Sequence, residues 1–459
     1  MKPLIAAAIF GILLMLTSIF AKEKKTISNF AIALLVILTG FNVRELGMTL
    51  SSGTVESLFN DMLRYDTFAL WFNTLMGGVA LIWALLNRQN IERVGTYVAE
   101  YYALMFFILV GVNLLAAYNN LLILFLGIEI ISIPQYILAG SDKKSMKSNE
   151  ASLKYFLMGA FSTGLLLMGI ALLFGAMGTF NISHFDFSDG INMMSLAGII
   201  FIIVALAFKA SAAPMHFWAP DVYDGAPTPF AALMATIVKG AIFIAFLHLF
   251  KDSLSAVSES WIAVIAAVTV LTLFVGNITA VFQQSVKRML AYSSIAQAGF
   301  MLFCLLALNA MGMKGIILYA VAYSVATIGL FFVLTKLKDN TYDGFNGLAK
   351  KEPWVAFSAA IFLFSLAGIP LTGGFFAKYY MLAAVIEQGG TMLYLVIFAL
   401  LMAAVSVFYY FRVIMAMYFK GGEPEMEHSI SNSDKLFLGI SVAVLIVMGI
   451  MPDLFLQWI

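Results

Sequence analysis

Four charged residues stand inside otherwise apolar stretches: Glu129 in LILFLGIEIISIPQY, Lys209 in AFKASAAPMHFW, Lys239 in LMATIVKGAIFIAF and Lys378 in GGFFAKYY. A charge at the centre of a membrane helix costs about 2.5–3.5 kcal/mol on insertion scales, so each is expected to do something an apolar residue cannot. The chemistry these types suit is proton carriage. A lysine in water keeps its proton up to a pH of about 10.4; burial disfavours the charged form, and a nearby carboxylate favours it. If Glu129 approaches Lys209, movement of the carboxylate changes the lysine's proton affinity, and a tenfold change takes only about 1.4 kcal/mol. The plainer reading is a set of buried ion pairs or snorkelling chains. That reading fits Lys378 best, since glycines precede it, and fits Glu129 and Lys239 poorly, with apolar residues on both sides.

Further residues are weaker candidates. His216, two residues after Pro214, is placed to relay protons between Lys209 and Lys239, although a lone membrane histidine is as often a packing residue. His248, near Lys251, reads as packing. Lys154 either snorkels at a helix start or faces Glu129 across the bundle. Arg412 belongs near the inner surface, and Tyr292, Ser293 and Ser294 suit hydrogen bonds within the core.

The elements that position these residues are membrane helices. The chain has 459 residues, 62% hydrophobic and 11% charged, with a formal net charge of +1. Soluble domains carry about 25% charged residues, so lipid is the expected solvent. The near-zero net charge excludes nucleic-acid binding by bulk electrostatics. A single cysteine, Cys304, excludes an internal disulfide framework and a cysteine-ligated iron–sulfur cluster. The four histidines lack metal-ligand spacing, and no phosphate loop or dinucleotide fingerprint occurs, so the chain is expected to hold no cofactor.

At about 20 apolar residues per crossing, fourteen spans are predicted: 3–20, 28–46, 66–86, 102–118, 121–139, 153–177, 193–217, 228–250, 261–282, 289–309, 314–336, 354–386, 391–419 and 435–457. The first run could be read as a signal peptide. However, Lys22, Lys24 and Lys25 follow it, which favours a retained helix with its N-terminus outside. One set of loops then collects sixteen basic residues, from Lys22 to Lys435, against Lys2, Arg44, Arg64, Lys251 and Lys314 on the other side. Both termini are expected outside.

Spans 7 and 12 are interrupted, by Pro214 and by Pro370 with Gly373 and Gly374. Proline removes a backbone donor and clashes with the preceding turn. A simple kink would be tolerated, but each break lies near a lysine. The prolines are 156 residues and five spans apart, so the second broken helix runs opposite to the first, as in inverted-topology repeats. The expected class is an all-α integral membrane protein in four parts. These are helices 1–3 (1–100), a five-helix repeat of helices 4–8 (101–252), its inverted counterpart, helices 9–13 (253–420), and helix 14 (421–459).

The segments FLGIEIISIPQY, EASLKYFLMGAFSTG, AFKASAAPMHFWAPDVYDGAPTP, QQSVKRMLAYSSIAQAGFM and SLAGIPLTGGFFAKYY resemble the antiporter-like proton-translocating subunits of NADH-quinone oxidoreductase, respiratory complex I. Within that family the subunit N branch, counterpart of mitochondrial subunit 2, is most similar. The likeness runs from about residue 60 to 420, and HFWAPDVYDGAPTP is its most diagnostic stretch. The resemblance implies fourteen helices in two inverted five-helix repeats. It implies that Glu129 tunes its lysine partner, that Lys209 and Lys239 are the seventh- and eighth-helix lysines, and that Lys378 is the terminal station. It also implies neighbouring membrane subunits as partners, a bacterial cytoplasmic membrane, and NAD, FMN, iron–sulfur clusters and quinone on other subunits. Related roles in a multi-subunit sodium/proton antiporter or a membrane-bound hydrogenase remain open, as do an autonomous secondary transporter and a purely structural subunit.

Overall fold

A computed structural model describes residues 2–21, 23–53, 55–188 and 190–457; Lys22, counted above among the basic loop residues, lies outside them. The chain crosses in the order α1 (Lys2–Phe20), α2 (Lys24–Ser52), α3 (Thr67–Val94), α4 (Val98–Ala117), α5 (Leu121–Ala139), α6 (Met146–Met177) and the broken pair α7 (Met193–Ala210) and α8 (Trp218–Gly225). It continues through α9 (Thr228–Asp252), α10 (Ile262–Val281), α11 (Val286–Ala307), α12 (Ala310–Leu334), the broken pair α13 (Pro353–Ala367) and α14 (Gly373–Ile386), α15 (Met392–Phe419) and α16 (Asn432–Ile450). Among the described residues, thirteen helices are each long and apolar enough to span a bilayer. The pair α13 and α14, each too short alone, supplies the fourteenth crossing.

The packing of helices 4–8 recurs in helices 9–13. α4 lies along α5 as α10 lies along α11, and α4 touches α9 as α10 touches α15. α6 packs against both halves of the first broken pair, and α12 against both halves of the second. The half-helix α8 also reaches across to α11, tying the two units together. α9 and α12 are the most enclosed helices, wholly buried over their apolar windows, while α1, α6 and α15 present apolar side chains outward.

Several helices outrun the apolar runs that announced them. α2 continues to Ser52 and ends on Gly53 at φ 63°. α6 begins at Met146, where the Ser145 hydroxyl accepts the Ser148 N–H, so polar residues extend it beyond the hydrocarbon. The loop between α2 and α3 holds an antiparallel hairpin, β1 (Glu56–Leu58) with β2 (Leu63–Tyr65), that an all-α reading did not contain. Arg412 lies beside the loop before α11, its guanidinium 3.9 Å from the Tyr342 ring centre and bonded to Gln283 and Gln284.

Candidate proton-conducting site

The two breaks are built differently. α7 stops at Ala210 because Ser211 turns left-handed at φ 61°, and helical geometry resumes only in α8. The predicted seventh span, 193–217, therefore keeps its helix only as far as Ala210, and Pro214 lies in an open connection rather than inside a kinked helix. Side chains satisfy the freed backbone: Thr272 accepts the Ala213 N–H at 2.9 Å, and the Trp218 indole donates to the Phe208 carbonyl at 3.0 Å. In the twelfth crossing, α13 ends at Gly368 with φ 84°, and Leu371 also has positive φ. A Cβ on Gly374 would sit 1.8 Å from the Ser365 carbonyl oxygen, so only glycine lets α14 start this close to the end of α13.

Lys209 occupies the last turn of α7, where the helix's negative end favours a cation. Its ammonium is 4.0 Å from the Glu129 carboxylate and donates to Ser132 at 2.9 Å and Tyr136 at 3.4 Å. Glu129, Ser132 and Tyr136 share one face of α5 at spacings of three and four, a helical stripe the sequence displayed but the charge search passed over. The structure thus joins Glu129 to Lys209, but Glu129 is not enclosed. Its side chain is 23% exposed at the margin of the outward apolar face of α5, and Thr163 of α6 donates to it at 2.7 Å.

Lys154 does not face Glu129. It pairs with Glu150 at 2.7 Å and Asp221 at 2.8 Å, and Asp221 also binds Arg288 at 3.1 Å. These residues line an open cavity of about 180 Å3 beside Lys147 and Gly225. The reason is geometric: Thr163, nine residues along α6, already takes the level of Glu129.

Lys239 is the most deeply buried of the three lysines, at 1% exposure. It follows a π-turn, Met234–Val238, that shifts the helix phase immediately before it. Its ammonium donates to the Ser294 carbonyl at 2.7 Å and to the Ser294 hydroxyl, and lies 5.9 Å from the Tyr323 ring centre. Ser293 and Ser294 of α11 are hydrogen-bonded in the core, as their positions suggested. His216 is not a direct hydrogen-bond partner of either lysine; its ring lies on Phe217 at 4.6 Å and faces the Pro214 backbone. Between the two lysines, Tyr223 of α8 instead faces both the Ser211 and Ser294 hydroxyls.

Lys378 is 7% exposed and does not snorkel. Its ammonium donates to the Leu366 and Ala367 carbonyls, the last of α13, at 2.8 and 3.1 Å, and lies 4.7 Å from the Phe300 ring centre. It borders a small inner cavity and an apolar groove of about 270 Å3 between α14 and α15. His248, read as packing, lies between Phe68 and Tyr118 with Asp252 at 3.3 Å, lining a polar cavity of about 330 Å3 with Arg64 and Asn119.

A multi-pass helical bundle with two broken helices and enclosed lysines beside both breaks defines a class of ion-translocating membrane subunit. The comparisons place it further. Residues 118–448 match the transmembrane family model described as NADH:quinone oxidoreductase/Mrp antiporter. The NADH-quinone oxidoreductase subunit N of Trichlorobacter lovleyi is 37% identical over 99% of this chain and 95% of its own. That of Cytophaga hutchinsonii is 36% identical over 100% of this chain and 99% of its own. A chain of respiratory complex I from Thermus thermophilus superposes with a TM-score of 0.85 at 29% identity, covering 99% of this chain and 98% of that one. The chain belongs to the NADH-quinone oxidoreductase subunit N family, the antiporter-like branch of these membrane subunits.

Proposed function

We propose that this chain moves protons across the bacterial cytoplasmic membrane through Glu129, Lys209, Lys239 and Lys378, as one membrane subunit of an NADH-quinone oxidoreductase. The observation that carries this reading is that each lysine is enclosed without a closed ion pair, and that Lys209 and Lys239 are held by hydroxyls, which can accept one proton and release another. Lys209 has a carboxylate and two hydroxyls, Lys239 a serine hydroxyl, and Lys378 two helix-end carbonyls. Electron transfer takes place on other subunits, which hold the flavin, the clusters and the quinone. It changes the separation of Glu129 and Lys209, and Lys209 then passes its proton toward Lys239 and Lys378. Sister membrane subunits and lipid cover the outward faces of α5, α6 and α15, and both termini face the periplasm.

The test is Lys239→Ala in membrane vesicles containing the assembled complex, with assembly checked on a native gel. NADH-driven quinone reduction and proton uptake are followed together. Loss of pumping in an intact complex is the expected result; normal reduction with normal pumping would make the charge structural and end this reading.

A further inference from the structure

Lys239 and Lys378 have no hydrogen-bond partner in common, and the groups between them decide how a proton could cross. The carbonyl that holds Lys378, Leu366 O, also accepts the Gln297 amide nitrogen at 3.0 Å. A carbonyl only accepts, so this contact fixes which end of the Gln297 amide is nitrogen. The same nitrogen donates to Tyr410 at 2.9 Å, leaving the amide oxygen facing the Tyr319 hydroxyl. An amide oxygen cannot donate, so the single Tyr319 proton is committed to Gln297.

Tyr323 is placed differently. One helical turn along α12, its buried hydroxyl makes no well-aligned hydrogen bond and faces two hydroxyls, that of Thr327 and that of Ser294, the residue that holds Lys239. Tyr323 and Lys378 line one small cavity with Gln297, Tyr319 and Ser365. Its volume, about 10 Å3, is that of roughly one water-sized probe. The cavity therefore joins Tyr323, on the Lys239 side, to Lys378.

We propose that Tyr323 is the relay hydroxyl between Lys239 and Lys378, passing protons through Ser294 on one side and a single water on the other. Gln297 is a positioning residue, which keeps Tyr319 out of the relay and steadies the carbonyl under Lys378. In the transfer the Lys239 ammonium gives one proton to the Ser294 oxygen, whose own proton passes to Tyr323. The Tyr323 proton passes to the water, and a water proton passes to the Lys378 amine. Ser294, Tyr323 and the water each accept one proton and release one, so the net change is one proton from Lys239 to Lys378. A neutral Lys378 keeps two N–H groups for the Leu366 and Ala367 carbonyls and one lone pair to receive that proton.

This inference rests on the proton path proposed above, and the test separates the two. Tyr323→Phe removes one oxygen; in vesicles with intact complex, NADH-driven pumping should fall about tenfold or more, as when a positioned acid–base group is lost. The solvent deuterium isotope effect on turnover should rise as this transfer becomes limiting, which loss of packing alone would not produce. Ser294→Ala, which keeps the backbone carbonyl for Lys239, should give the same pair of changes one step earlier and serves if Tyr323→Phe does not assemble. Tyr319→Phe should fall less than either. Wild-type pumping and isotope effect in Tyr323→Phe or in Ser294→Ala would overturn the relay, as would a larger loss in Tyr319→Phe. Lys239→Ala measured beside them decides the rest: if it too pumps normally the whole path falls, and if it alone fails only the relay does.

Discussion

The two broken helices solve one problem, keeping a lysine inside a membrane, in opposite ways. At the first break the cation is met by a carboxylate on another helix, Glu129, with hydroxyls beside it. At the second, no described residue supplies a countercharge; Lys378 rests on the terminal carbonyls of α13, whose helix dipole ends there. A carboxylate on a half-exposed helix face can move or be influenced from outside the chain. Helix-end carbonyls cannot leave without dismantling the break that Gly368 and Gly374 hold in place. In the proposed path the first station is thus the adjustable one and the second the constant one, which suits a path driven at one end.

The sharpest way to break this comparison is Lys378→Arg. A guanidinium keeps the charge and can still donate to both carbonyls, but it does not release its proton in a protein. Pumping should fall by about 100-fold or more while the complex assembles, read as proton uptake per NADH oxidised. If arginine pumps, Lys378 acts only as a fixed charge and the second station is not a proton carrier.

Glu129→Gln tests the other side with a smaller expected effect. Glutamine keeps an oxygen for Thr163 and nearly the same volume but removes the charge. Pumping should drop by about tenfold, with assembly unaffected because the side chain is not enclosed within this chain. A loss as complete as that of Lys378→Arg would mean that Glu129 carries the proton rather than tuning its partner, and the proposed asymmetry would disappear.

How much of this could be read in the sequence follows from what each signal measures. Hydropathy marks how often a chain crosses lipid, and the fourteen crossings agree with it. Pro214 and Pro370 marked both breaks because proline's cost in a helix is intrinsic. The π-turn before Lys239, which lies against α12, left no mark, since Met234–Val238 is ordinary helix-compatible sequence. Gln297, Tyr319, Tyr323 and Tyr410 were missed for a related reason. They carry no charge, and their meaning lies in which helices meet, although Ser293 with Gln297 and Tyr319 with Tyr323 do repeat at a spacing of four. The partial exposure of Glu129 was equally hidden, because an apolar flank reads the same whether it faces protein, lipid or another subunit.

The smallest effect belongs to a charge pair that mimics the first station without its surroundings. Lys338 and Glu425 meet at 2.9 Å in the loops, with side chains 65% and 71% exposed. The hydrogen bond to Glu425 raises the Lys338 ammonium above its usual range, and the same bond holds the Glu425 carboxyl below its own. The raised lysine contributes below its unfolded value and loses that contribution only in strong alkali; the lowered carboxyl contributes above its unfolded value and loses it only in acid. Between about pH 6 and 9 neither term changes, and water and salt screen what remains. Lys338→Met should therefore leave both pumping and the thermal midpoint of the detergent-solubilised complex unchanged across that range, at low and at high salt. Glu129 and Lys209 are no closer together than this pair, so a null result here locates the proposed function of the first station in the burial of Lys209 and not in the pairing of opposite charges as such.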